Sequence, residues 1–434
     1  MDTFIRDNFW NDVKSSNKRH LHIVMIATKP DIIKQYPIYV ELKKRKEHVV
    51  LVHTGQHYDY NLSGGMLEEF GMEVDINLNI EGKYHQKIAQ VIHRLGDIFE
   101  QMNEMGKIPI PYVHGDTMTA MTASCAAWAN RIGCVHVEAG IRTLGLKKEF
   151  YKKLLNNEYS FTEWRELHKN VNNFEGGQIE PYPEQYNTRA TEPATGLFLA
   201  PVESVKTSLI QEGYEEGRIK VVGNSVSDAT KEMQKKAAES KIFEKFPALE
   251  DGFIRICIHR RENCGDKERF TAIFEAMEQL VKEGEKILFI SLFATEKAID
   301  DFQLRERLEK LSEKENFIAS PTWPYYSDVI AAMMKAQVCA TDSGSMQEEM
   351  NILGIPTVTL RFGSDRPESF FKGGNVIAPP LNGKIIAQII RDTKNCEEMK
   401  NVGNIYGENV SERSVEAVLD FLKDNEELIG FYKV

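Results

Sequence analysis

The sequence predicts an α/β protein of two Rossmann-like domains, each built on a parallel sheet, with a cleft between the domains. Three observations predict this. Short apolar runs alternate with amphipathic helical patterns up to about residue 225, and the alternation restarts near residue 254. A chain of 434 residues is too long for one ordinary core. Acidic, basic and small residues cluster directly after several apolar runs, where open α/β sheets bind ligands.

Taken in order, residues 1–20 read as a short amphipathic helix or arm, whose Phe4, Phe9 and Trp10 dock on the body or on a second subunit. Residues 21–28 form a first strand. A helix follows to about residue 45; Pro30 suits its first turn and Asp31 complements its dipole. Residues 48–53 form a second strand ending at Thr54-Gly55-Gln56-His57, and residues 84–105 a helix. The stretch 109–143 organises the rest. It holds a strand (110–113), the polar turn His114-Gly115-Asp116-Thr117, a small-residue helix (119–130) and a strand (134–137) ending at Glu138-Ala139-Gly140. Asp116 and Glu138 thus follow the carboxyl ends of consecutive strands. A right-handed parallel crossover points both into one crevice.

Between residues 144 and 183 the pattern breaks into a charged, aromatic segment. It is either a lid or interface, or a surface insertion packed on its own domain. Residues 196–200, 204–212 and 219–222 restore strand, helix and strand, and a Lys-rich linker spans about 225–250. The second domain is expected to hold strands at 254–258, 286–292, 317–319, 338–341 and 357–360, with helices at 267–283, 296–313, 326–335 and 346–352. A helix at 415–425 closes the chain. The expected division is an arm (1–20), a first domain (21–225) with an insertion at about 145–180, a second domain (226–410), and a terminal helix (411–434) packing back on the first.

A net charge of −11 argues against a general nucleic-acid binder but leaves room for local basic clefts. Cys125, Cys134, Cys257, Cys264, Cys339 and Cys396 show no C-x-x-C spacing and read as reduced thiols of a cytoplasmic protein. No run approaches the ~18 apolar residues of a membrane span. The amino end lacks the apolar core of a secretory signal. No metal site and no membrane partner are expected.

The chemistry sits after the strands. Asp342-Ser343-Gly344-Ser345 before a helix suits phosphate, because small residues admit the ligand and the helix start attracts negative charge. Ser and Asp also cap helices with no ligand. Glu348 and Glu349 either complement the helix dipole or grip a ribose diol. His259-Arg260-Arg261-Glu262 either pairs a diphosphate through bidentate arginine contacts or forms a salt-bridged turn. Asp116 is alternatively a turn residue with Thr117, and Glu138 a partner of Arg142. With Glu184 of Pro183-Glu184-Gln185 and His259, these acids suit proton transfer at carbon.

The strings TGQHYD (54–59), HGDTMT (114–119), HVEAGIRT (136–143), PYPEQYN (181–187), VVGNSVSDA (221–229), HRRENCG (259–265), TDSGSMQEE (341–349) and RPE (366–368) fall in the order and spacing of UDP-N-acetylglucosamine 2-epimerases. The resemblance is to the non-hydrolysing bacterial and archaeal type, over nearly the whole chain outside 1–20 and 145–180. It implies a GT-B-like glycosyltransferase fold, a cytoplasmic homodimer and no redox or other cofactor. It also implies interconversion of UDP-GlcNAc and UDP-ManNAc by elimination and re-addition of UDP through 2-acetamidoglucal. Asp116, Glu138, Glu184 and His259 match the acid–base residues. Lys29, Lys34 and Arg260 match positions near the diphosphate, Ser343, Gly344 and Ser345 the phosphate loop, Glu349 the ribose carboxylate, and Arg366 a further UDP contact. Gln56, Arg142 and Asn187 are candidate second-site or sugar contacts. The sequence departs from the family at Lys29 (Arg in the family), Ser345 (Gly), Asp59 (Gln) and around Phe293, where a His is expected. These changes bear on activation by a second UDP-GlcNAc and on the identity of the sugar. The rival readings are a hydrolysing 2-epimerase releasing UDP and ManNAc, a 2-epimerase of a UDP-diacetamido uronic acid, a glycosyltransferase on the same fold, and a non-catalytic UDP-sugar binder.

Overall fold

The computed structural model describes residues 2–55, 64–177, 180–425 and 427–428. Gln56 and Asp59 lie outside the described residues. The chain forms two compact units, one from residues 1–141, 184–229 and 406–434, the other from 142–183 and 230–405.

Among the described residues, the first unit carries an eight-stranded sheet. Its spatial order is Phe4–Ile5, Ile76–Asn77, Val49–His53, His20–Ile26, Ile108–His114, Cys134–Val137, Thr195–Ala200 and Ile219–Val221. Every neighbouring pair is parallel except the first, which is antiparallel. The inner strands are apolar without alternation because helices cover both faces. Helix Tyr84–Glu104 buries Val91, Leu95, Ile98, Phe99 and Met102, an i, i+4, i+7, i+8, i+11 stripe against the sheet. Helix Met118–Ala129 packs through alanines, Ala120, Ala123, Ala126 and Ala127.

The second unit holds a six-stranded sheet in the order Phe317–Pro321, Ile287–Ser291, Phe253–Cys257, Ala336–Thr341, Thr357–Thr359, Asn375–Ile377, parallel throughout. These are Rossmann-like parallel sheets in both units.

Four expectations require correction. The amino-terminal arm is part of the first sheet: Phe4–Ile5 pairs with Ile76–Asn77, and Phe9 and Val13 of helix Phe9–Ser15 are buried in that unit's core. The single helix expected over 296–313 is two, Phe293–Asp301 and Arg305–Ser312, broken where Gln303 takes a left-handed φ of 62°. Strand Asn375–Ile377 and helix Gly383–Lys394 were not expected; the strand has only three residues and follows Gly373-Gly374.

The fourth correction concerns the insertion. Residues 142–183 group with the second unit, not the first. Strand Leu144–Leu146 pairs antiparallel with Gly363–Ser364 and with Phe174–Glu175 in a small separate sheet. Trp164 Nε1 donates to the Ile377 carbonyl at 2.8 Å, and His168 Nε2 accepts from the Ile377 amide at 3.0 Å. Ile377 ends the edge strand, so two side chains occupy the hydrogen-bonding groups that a further strand would otherwise take. The closing helix, Val410–Asp424, belongs to the first unit, where the Asp228 carboxylate accepts from the Val410 and Ser411 amides at 3.2 and 2.7 Å.

Candidate active site

In the first unit, strands Ile108–His114 and Cys134–Val137 run parallel with His114 opposite Val137. Asp116 and Glu138 therefore leave the same end of the sheet. The chain turns sharply there. Gly115 has φ 57°, Glu138 has φ 59° and Gly140 has φ 78°. A left-handed Glu is costly for an L-residue, on the order of 1–3 kcal/mol, and persists only where its surroundings hold it. The Glu138 side chain joins a set of four ionisable side chains. Glu138 Oε2 pairs with Lys34 Nζ and lies 2.8 Å from His114 Nε2. His114 Nδ1 lies 2.8 Å from Asp31 Oδ1. Asp31 Oδ2 accepts from the Ala27 and Thr28 amides at 3.1 and 3.0 Å, fixing it at the start of helix Lys29–Lys44.

All four side chains are at most 3% exposed. Burial alone would lower the His114 pKa, but its hydrogen bonds to Asp31 and Glu138 outweigh burial and carry it up to about 9. With His114 protonated, two carboxylates face two cations, and the buried group is neutral as a whole.

Of the expected residues here, Lys34 is brought onto Glu138. Asn187 is buried and donates from Nδ2 to the Asp116 carbonyl at 3.0 Å. Asp116, Glu184 and Lys29 are half-buried. Thr117 is the helix cap, accepting from the Ala120 amide at 3.1 Å. His114 and Asp31 were not singled out as site residues. The available signal was a His directly ahead of Gly115-Asp116 at a strand end and an Asp one helical turn before Lys34.

In the second unit, the strand ends carry a second constellation. Asp342 is fully buried and accepts from the His259 amide at 3.0 Å, the Arg260 amide at 3.0 Å and Asn263 Nδ2 at 3.1 Å. It thus clamps the turn that presents His259 and Arg260. Burial pushes the His259 imidazole below its ordinary value; Asp342, whose carboxylate lies 3.3 Å from Nδ1, opposes the fall and Arg260 adds to it. Ser343 caps helix Gly344–Leu353 through its hydroxyl. A Cβ on Gly344 would stand 3.3 Å from Asp365 Oδ2 and 3.6 Å from Arg260 Nη2, so this helix start faces both. Ser345 is half-buried.

Arg361 donates to Asp365 at 2.8 Å, and Arg366 Nε donates to Glu348 at 2.5 Å. Burial works against the Asp365 charge, but Arg366, Arg361 and Arg260 together hold its carboxyl well below the usual range. Glu348 is therefore an ion-pair partner of Arg366, beyond any effect on the helix dipole. Glu349 is buried and interacts with the Tyr326 hydroxyl, whose pKa burial raises first and Glu349 raises further. Arg142 is half-buried in this unit. Asp365 and Arg361 were missed as supporting residues, although each closely trails a strand; Asp342 was singled out as part of a phosphate loop, and its carboxylate instead holds the His259 turn. The arrangement offers a helix start with arginines beside it, suited to a phosphate group.

Among the described residues, no group of His, Cys, Asp and Glu side chains could hold a metal ion, and no helix is long and apolar enough to cross a membrane.

The family model described as UDP-N-acetylglucosamine 2-epimerase matches residues 40–154 and 167–420. The chain belongs to the UDP-N-acetylglucosamine 2-epimerase family. Among curated members of this epimerase family, the UDP-N-acetylglucosamine 2-epimerase of Methanocaldococcus jannaschii is 28% identical over 408 residues, covering 92% of this chain and 99% of its own length. That of Bacillus subtilis is 28% identical over 416 residues, covering 92% and 94%. The M. jannaschii enzyme in complex with UDP-GlcNAc and UDP superposes with a TM-score of 0.76 at 26% identity, over 93% of this chain and 99% of that one. The Neisseria meningitidis enzyme bound to UDP-GlcNAc gives 0.75 at 26%, over 92% and 100%. The fold is accordingly the GT-B-like one of these epimerases. Residues 155–166, between the two matched segments, include most of helix Phe161–His168 of the insertion.

Proposed function

We propose that this protein is a non-hydrolysing 2-epimerase that interconverts UDP-GlcNAc and UDP-ManNAc. The observation that carries the reading is the buried, charge-balanced setting of Glu138 at the end of the strand Cys134–Val137, within a family of UDP-GlcNAc 2-epimerases. In the proposed reaction a base takes the C2 proton. The C–H electron pair becomes the C1–C2 double bond, and the C1–O bond breaks to release UDP, leaving 2-acetamidoglucal. Reprotonation at C2 from the opposite face and re-addition of UDP at C1 complete the epimerisation. Asp116, Glu138, Glu184 and His259 form the proposed acid–base set. An ionised Glu138 and a largely neutral His259 can accept protons at neutral pH. Arg260, Arg366, Ser343, Gly344 and Ser345 are proposed to hold the diphosphate, with Lys29 as a further cation and Glu349 on the ribose; Lys34, buried against Glu138, is proposed to balance that carboxylate instead. No cofactor enters this chemistry, and the proposed working form is a homodimer.

The test is incubation with UDP-GlcNAc in D₂O followed by proton NMR. The expected result is deuterium at C2 with UDP-ManNAc and no free sugar. Free ManNAc with UDP would move the protein to the hydrolysing reaction. Absence of exchange and product would overturn the UDP-GlcNAc reading. It would turn attention to UDP-diacetamido uronic acids, because Phe293, 85% exposed beside the strand Ile287–Ser291, stands where a His is expected.

A further inference from the structure

The four-residue group around Glu138 includes Asp31 and His114, which the proposed acid–base set does not use. We propose that His114, held by Asp31, is a positioning residue for Glu138: its imidazolium pins one carboxylate oxygen, keeps Glu138 ionised and stabilises its left-handed backbone. The inference rests on the epimerase reading for its kinetic consequence but not for its electrostatic one.

Three observations argue for it. First, both ring nitrogens of His114 face carboxylate oxygens, at 2.8 Å each. A carboxylate only accepts, so satisfying both contacts requires both nitrogens to carry protons. Second, Glu138 Oε2 is shared by Lys34 and His114, and Glu138 is 2% exposed. A carboxylate at that depth, stripped of one cation, would be driven towards its protonated form. Third, Asp31 is itself immobilised by the Ala27 and Thr28 amides and the Thr28 hydroxyl. The imidazole ring is thus anchored through Asp31 to the start of helix Lys29–Lys44. The charged groups facing His114 are Asp31 and Lys34 from that helix and Glu138 from the turn after the neighbouring strand.

A protonated His114 supplies charge and orientation without touching the substrate. Removing the charge should therefore change the ionisation of Glu138 and the chemical step, with little effect on substrate affinity.

The test uses the full-length protein in two arms. In the wild type, ¹⁵N NMR of labelled histidine, with the His114 signal assigned by its loss in His114→Gln, should show both ring nitrogens protonated at pH 7.5. A neutral tautomer would overturn the proposal, whether or not the protein epimerises UDP-GlcNAc. In the second arm, His114→Gln keeps an amide donor but no charge. Expected are a fall in kcat on the order of 100-fold, a KM close to wild type, and an acid limb of the kcat/KM profile displaced upward by on the order of one pH unit. An unmoved acid limb with unchanged kcat would overturn the proposal. If the wild type does not turn over UDP-GlcNAc, the epimerase reading fails and the NMR arm alone decides this one. If the variant does not fold, the wild-type arm still decides, with signal assignment from Asp31→Asn.

Discussion

At the scale of single residues, the buried histidines set opposite trends in stability with pH. His114 has a folded pKa of about 9, above its ordinary 6.5. Its contribution is therefore fully present below 6.5 and is lost as pH rises through 9. Burial pushes His22 down to about 3, and burial pushes His168 down to about 4. These two resist protonation when folded, so stability is lost as pH falls below 6.5 towards those values. Melting temperature measured against pH should peak near 6.5 as far as these groups decide it. His114→Gln should flatten the alkaline limb and leave the acid limb as it was. Asp342 gives a second residue-scale expectation. Its carboxylate takes two amides and an amide side chain, so Asp342→Ala should destabilise the second unit by about 3 kcal/mol or more and weaken UDP binding, checked by denaturant titration and calorimetry. The sequence marked Asp116, Glu138, His259 and the DSGS loop because they follow apolar runs. It could not mark Asp31 as the partner of His114, since the two are 83 positions apart and meet only because strand Ile108–His114 pairs in parallel with strand His20–Ile26, which leads into the helix that carries Asp31.

At the scale of elements, the insertion behaves as a cover for a sheet edge. Trp164 and His168 together take both hydrogen-bonding groups of Ile377, and Tyr151 donates to the Phe362 carbonyl. Trp164 sits in the second unit's core with Tyr151, Phe174 and Phe370. Trp164→Phe leaves the Ile377 carbonyl without its indole donor and should cost about 1–3 kcal/mol, measured as a lower denaturation midpoint. The amino-terminal arm is equally integral. Phe9 is 1% exposed, so Phe9→Ala should cost about 3–5 kcal/mol, measured the same way. The sequence suggested docking because three aromatics lie within the first ten residues. It could not specify the short antiparallel strand, because Phe4–Ile5 has no periodicity to read over two residues.

At the scale of the whole molecule, each unit carries its own parallel sheet and its own constellation after the strand ends. The chain enters and leaves the second unit twice, at residues 142–183 and 230–405. If UDP binds as proposed, UDP at 100 times its Kd should raise stability by about 2.7 kcal/mol. Hydrogen exchange should slow chiefly at the turn carrying His259 and at the start of helix Gly344–Leu353. Slowing confined to the first unit would count against the proposed diphosphate contacts.

The alternation of strands and helices, the two-sheet plan and the strand-end positions of the candidate acids are legible in the chain alone, because they depend on local periodicity and on punctuation by Gly, Pro, Asp and Ser. The tertiary structure alone decided which unit the insertion joins, that Lys34 and His114 meet on Glu138, that Asp342 clamps the His259 turn, and that Glu348 pairs with Arg366. The physical reason is distance along the chain. Charge pairing in a buried site depends on which strands lie side by side, and no local pattern in the sequence records that order.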